Sequence, residues 1–241
     1  YEIRLSLVGS EMCIRDRAIV AFAILIIANF ARLPIPMPDD YQYRLVFGFT
    51  AFITCGIVVL LTGLWMQWVE NRSLAIYQLM NFRALATGLP AGIALGGIPV
   101  VAMWLLAPNL ELQAANAPPV WLAILYIIGG ALVLQGFPEE LIYRGWLFSV
   151  TEEQPWLSLV WTSVAFGLIH LVSQGCQQGS LEFLLYLICP FGFGLLCGAS
   201  VLWRQSLWWA VGVHTGLHIA NGAFEIWFTE VFDIANWVVL G

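Results

Sequence analysis

The chain has no lysine, and only 10% of its 241 residues are charged, although 61% are hydrophobic. A soluble domain of this size could not hide that much apolar surface; a bilayer can. Its five cysteines, Cys13, Cys55, Cys176, Cys189 and Cys197, show no CxxC or paired metal spacing, so a zinc ribbon or a disulfide framework is not expected. Cys55, Cys189 and Cys197 sit in apolar runs as small hydrophobes, and Cys176 lies in a polar loop. No internal repeat and no low-complexity tract breaks the chain. The net charge of −6 says little about partners, because several acids fall within apolar segments. No nucleic-acid partner is expected.

What is present is apolar length. Seven long segments run over roughly 18–34, 44–68, 86–106, 119–148, 155–173, 181–203 and 206–222, with a doubtful eighth over 223–240. Most approach the ~20 residues that cross a bilayer as helix. The expected fold is all-α, a polytopic transmembrane bundle of seven to eight membrane helices. Pro34 to Asp40 must be a loop, since three prolines cannot continue a helix. Further loops fall after Glu70, with room for a short interfacial helix through Arg83, between Pro108 and Pro119, around Thr151 to Pro155, and over Gln174 to Gly179. Arg72, Arg83 and Arg204 lie in the second and sixth loops, whereas Arg32 and Arg44 flank the first. The balance puts the second, fourth and sixth loops in the cytoplasm.

Residues 1–17 stand apart. The stretch Val8 to Arg17 resembles a translated sequencing adapter, so residues 1–17 are read as a non-native leader and 18–241 as a single membrane domain.

Three segments carry polar groups where a lipid-facing helix would have none. In Phe137-Pro-Glu-Glu-Leu-Ile-Tyr-Arg-Gly145, two adjacent carboxylates cost a few kcal/mol each if unpaired in a membrane. Glu140 and Arg144 are i,i+4 and can pair, which leaves Glu139 about 100° away and free of that pair. A plain salt bridge at the membrane edge is the alternative. In Phe166-Gly-Leu-Ile-His170, a lone histidine would more often be a hydrogen-bonded core residue than a catalyst. From Ser206 to Asn221, His214, His218 and Asn221 form one polar stripe at about 100° per residue. The competing account is a helix contact glued by polar side chains, for which Gly212 and Gly216 would permit close approach. Counted from the loop ends at ~1.5 Å per residue, Glu139, His170 and His214 lie at comparable depths from one membrane side.

Together, Glu-Glu-x-x-x-Arg, Phe-x-x-x-His and His-x-x-x-(Asn or Asp) are similar to the motif set of the CPBP intramembrane proteases, which include the CAAX prenyl endopeptidases and the bacterial Abi-type proteins. The likeness covers roughly 135–225. It implies an intramembrane endopeptidase acting on a membrane-associated peptide or protein in a prokaryotic plasma membrane. It implies that Glu139 and His170 activate a water, and that His214 and the residue four further on bind the oxyanion. The expected catalytic set is Glu139, Glu140, His170, His214 and His218, with Arg144, Phe166 and Asn221 in support. Amide hydrolysis asks for a base near operating pH and for donors aimed at the tetrahedral oxyanion, and this set can supply both. All five should face one interior cavity rather than lipid.

One position departs from the pattern. His218 stands where the family usually has Asn or Asp. A neutral imidazole still donates one hydrogen bond. His214-x-x-x-His218 is also metal-chelating spacing, so a divalent metal on Glu139, His170, His214 and His218 is the alternative mechanism, although HExxH is absent. The preferred mechanism requires no cofactor. Two other classes are a non-catalytic scaffold or immunity-type protein of the same fold, and a transporter. The chain lacks the matched broken-helix halves that a transporter would show.

Overall fold

Helix dominates because the chain offers long apolar runs whose backbone groups must be satisfied internally in lipid. The computed structural model describes residues 2–31, 42–106, 111–112, 118–172 and 179–229. These form seven helical runs: α1 (Glu2–Phe30), α2 (Gln42–Trp68), α3 (Phe82–Leu106), α4 (Val120–Thr151), α5 (Pro155–Ile169), α6 (Ser180–Arg204) and α7 (Leu207–Trp227). A two-residue antiparallel bridge joins Glu111–Leu112 to Phe228–Thr229. The expected loops at Pro34 to Asp40, at Pro108 and over Gln174 to Gln178 (with Cys176), and residues 230–240 of the doubtful eighth segment, lie outside the described residues.

The all-α class holds, and each of the seven apolar segments coincides with one helix. Four of these, α2, α3, α4 and α6, are long and apolar enough to cross a membrane by length and composition, against the expected seven to eight. α5 is shorter. α1 reaches back to Glu2, through the residues expected to be a leader, and carries Arg15, Asp16 and Arg17. α7 is interrupted by His214, His218 and Asn221. The interfacial element before Arg83 is a single 3-10 turn, Leu74–Tyr77, N-capped by Ser73, whose Oγ accepts from the Ala75 N–H.

α4 is composite. Its α-helical start (Val120–Ile128), its short α-helical centre (Phe137–Glu140) and its 3-10 end (Phe148–Thr151) are separated by π-helical turns at Gly129–Gly136 and Leu141–Leu147. Pro138 has no N–H to give and its ring crowds the carbonyl a turn earlier, so a widened turn before it relieves both faults. Glu139 and Glu140 sit in the short α segment between the two π turns.

Two contacts organise the bundle. α3 lies backbone to backbone on α7 through Gly92, Gly96, Gly212 and Gly216. A Cβ at Gly96 would run into the Val213 carbonyl, and one at Gly216 into that of Ile93. The close helix approach for which Gly212 and Gly216 were noted is therefore real, and it coexists with the polar stripe. On the other side, Ile24, Met66, Ile142 and Trp146 bring α1, α2 and α4 into one buried cluster with Phe166 of α5. Glu70, at the end of α2, closes it. Its Oε1 accepts from Arg17 Nε at 2.6 Å, Trp146 Nε1 at 2.9 Å and Trp65 Nε1 at 3.1 Å. Arg17, the last residue of the stretch expected to be a leader, is thus tied to the bundle.

Candidate active site

Gly136 begins the geometry. It faces Thr215 so closely that a Cβ there would strike the threonine hydroxyl, and this seats α4 directly against α7. One turn further on, Glu140 meets His214, the neighbour of Thr215.

Glu140 is fully buried, and its Oε1 takes two hydrogen bonds. Arg144 Nη1 donates at 2.9 Å, the expected i,i+4 pair. His214 Nδ1 lies at 2.7 Å. A carboxylate paired with arginine can only accept, so the His214 proton belongs on Nδ1, leaving Nε2 directed away from Glu140. That Nε2 is 3.1 Å from His218 Nε2 and 4.0 Å from Glu139 Oε2. With its lone pair on Nε2, a neutral His214 is the acceptor and His218 Nε2–H the donor. Glu139 keeps out of the Arg144 pair, as expected, and its side chain retains 23% exposure.

His170 stands across Phe166 from His214. The Phe166 ring centroid is 4.8 Å from that of His170 and 5.6 Å from that of His214, edge-on to both. His170 Nδ1 lies 2.7 Å from the Phe166 carbonyl, which can only accept. The His170 proton is therefore on Nδ1 and the basic lone pair on Nε2. α5 ends at Ile169 and the backbone tightens into a 3-10 turn at His170–Val172, which places the histidine at the helix end. Phe166 also carries the Arg144 guanidinium 4.6 Å from its centroid, a cation–π contact.

Glu139, Glu140, Arg144, His214 and His218 thus meet directly, and His170 joins through Phe166. Asn221 does not join them. Its Oδ1 accepts from Trp104 Nε1 of α3 at 3.3 Å, so the polar stripe turns towards α3 above His218. Nor do the five catalytic candidates ring the cavity of about 880 Å³ at the loop end, which reaches this cluster only at Arg144. Several partners escaped the sequence reading. Phe193 packs edge-on to His214 at 6.1 Å, and Tyr186 lies 6.1 Å from His170. Gly194 leaves room for the guanidinium, since a Cβ there would sit 2.8 Å from Arg144 Nη2. A glycine in an otherwise apolar segment was the available signal for such close approach.

A metal ion would need at least three converging donors. Among the described residues, no group of three His, Cys, Asp or Glu is so arranged. Nδ1 of His214 and Nδ1 of His170 are tied to a carboxylate and a carbonyl, which leaves Nε2 as the free ligand atom of each, and the two Nε2 atoms of His214 and His218 face each other at hydrogen-bond distance.

Residues 119–220 match the model of the family described as type II CAAX prenyl endopeptidase Rce1-like. That segment is similar to the Rce1-like family. It runs from the start of α4 into α7 and contains every catalytic candidate, so the likeness seen in the three motifs to CPBP and CAAX proteases stands. The Rce1-like family is a protease family, which supports a hydrolase. With four helices of spanning length and apolarity, the Rce1-like match also supports an integral membrane protein. No curated protein and no solved structure matches the chain.

Proposed function

We propose that the protein is an intramembrane endopeptidase that hydrolyses a peptide bond of a membrane-associated substrate with a glutamate- and histidine-activated water. The observation that carries this reading is the meeting of Glu139, Glu140, His214 and His218 inside the bundle, with His170 held across Phe166. Buried carboxylates and imidazoles are costly in a membrane, and groups kept there despite that cost mark functional sites.

Glu139 is the base. It takes a proton from water as the oxygen bonds to the scissile carbonyl carbon, with the His170 Nε2 lone pair orienting the same water. Charge gathers on the carbonyl oxygen. His218 Nε2–H turns from His214 to meet it. His214, held by Glu140 through Nδ1, fixes where His218 stands and completes the oxyanion-binding pair. Collapse breaks the C–N bond, and Glu139 returns its proton to the departing amine. Glu140 and Arg144 act by holding His214, not by touching substrate; Phe166 separates and orients the two imidazoles.

On this reading residues 18–241 are one protease domain crossing a prokaryotic plasma membrane with seven to eight helices. Residues 1–17 are a foreign leader whose final arginine meets Glu70. A non-catalytic scaffold of the same fold is the competing class.

The test is hydrolysis of a peptide library by the detergent-purified chain. Glu139→Gln should abolish cleavage while leaving the unfolding temperature within a few degrees, because shape and hydrogen-bonding capacity are nearly kept. Equal turnover by this variant would remove Glu139 as the base. A wild type that cleaves nothing and a variant that behaves identically would favour the scaffold.

A further inference from the structure

Away from Glu139 and the histidines, a cavity of about 880 Å³ opens at the loop end of the bundle. The ends of α4 and α6, the starts of α3, α5 and α7, and the 3-10 turn at Leu74–Tyr77 enclose it. Arg72, Arg83, Arg144 and Arg204 all line it. Only six arginines follow residue 17 in this lysine-free chain, and four of those six gather around one hollow. Membrane topology explains why arginines share a side of the bilayer. It does not explain why they share a cavity.

Their charge is poorly compensated. Arg144 is consumed by Glu140, but among the described residues Arg83 and Arg204 have no carboxylate partner. Glu152 is the sole acid in the lining, 3.9 Å from Arg72 and 67% exposed. The cations are also positioned. Arg72 Nη1 donates to Ser149 Oγ at 3.1 Å. Arg204 rests over the rings of Trp203 and Trp209, at 5.0 and 4.6 Å from their centroids. Gln78 and Gln205, which line the cavity too, hold left-handed conformations (φ 49° and 51°) at helix ends where glycine is the usual choice. A planar guanidinium matches a phosphate in two-point fashion.

The location identifies the source of such a phosphate. Apolar helices α3, α4 and α6 begin or end at this cavity, so it lies at headgroup depth, and Trp203, 69% exposed, stands there as an interfacial tryptophan does. We infer that the cavity binds the phosphate headgroup of an anionic phospholipid, gripped by Arg72, Arg83 and Arg204. The site is separate from the proteolytic cluster and does not depend on the protease reading.

Native mass spectrometry of the full chain in detergent, titrated with phosphatidylglycerol or phosphatidylcholine, tests it. One phosphatidylglycerol should be retained in preference to phosphatidylcholine. Arg83→Gln/Arg204→Gln should weaken that retention on the order of thirtyfold, the effect of two interfacial cations. Arg83→Lys/Arg204→Lys should recover part of it. Both side chains are exposed, so the Gln pair should unfold at the wild-type temperature in phosphatidylcholine. Equal retention of the two lipids, or undiminished retention by the Gln pair, would overturn the inference. So would competition in which millimolar inorganic phosphate binds as well as the lipid does. If the Gln pair failed to fold, the wild type's lipid preference would decide alone.

Discussion

His218 has one N–H to offer, and in the resting site it is turned to His214 at 3.1 Å. If its work is oxyanion binding, only that N–H matters. His218→Asn should then keep much of the activity, and His218→Leu should lose on the order of 10²–10³ in kcat, the usual effect of one missing oxyanion donor. A metal mechanism would require both variants to fail and a chelator to silence the wild type; kcat of all three proteins with and without chelator separates the cases. Arg144 calls for a different experiment. Glu140 is wholly buried, and Arg144→Ala would strand it while emptying the space beside Gly194 and Phe166. Loss of one partner of a buried pair costs about 3–5 kcal/mol. The expected readout is a sharp fall in unfolding temperature or yield, beyond any change in turnover of the folded fraction. At this scale the sequence was informative where the interaction is local. The i,i+4 spacing of Glu140 with Arg144 and of His214 with His218 needs only helix geometry. The Glu140–His214 bond and the diversion of Asn221 to Trp104 span 74 and 117 residues, and no local periodicity contains them.

Among the helices, the pairing of α3 with α7 has the plainest physical cause. Lipid supplies no hydrophobic drive for helix association, so backbone proximity through small residues must serve. Gly96→Ala would push a methyl group into the Val213 carbonyl, beside His214. Overpacking of this kind costs about 1–3 kcal/mol, and here it should also shift His214 away from Glu140 and lower kcat. Gly56→Ala, on α2, meets nothing within 4 Å and should leave stability and turnover unchanged in the same assays. Gly212 and Gly216 were legible as a contact surface, but their partners on α3 were not. Hydropathy also located the helices well and their ends less well. The turn that splits α6 at Leu187, ahead of Pro190, and the first π turn of α4, ahead of Pro138, fall where a proline follows, which apolarity alone does not encode.

Across the whole molecule, the two halves of the chain differ in how much they disclose. From residue 119 onward, motifs, family match and geometry agree. Before it, the sequence offered hydropathy and little else, yet α2 and α3 position Trp146 and His214 through Glu70 and the glycine contact. α7 makes the dependence acute. Carrying two histidines and Asn221, it is not among the helices apolar enough to cross a membrane unaided. A translocon scanning the nascent chain would meet a weak stop signal at α7, long after α3 had entered the bilayer. The glycine face of α3 would then serve as a template, admitting α7 by docking rather than by partitioning. Docking of α7 is then the step that brings His214 to Glu140, so a nascent chain that stops short of α7 would lack the assembled cluster.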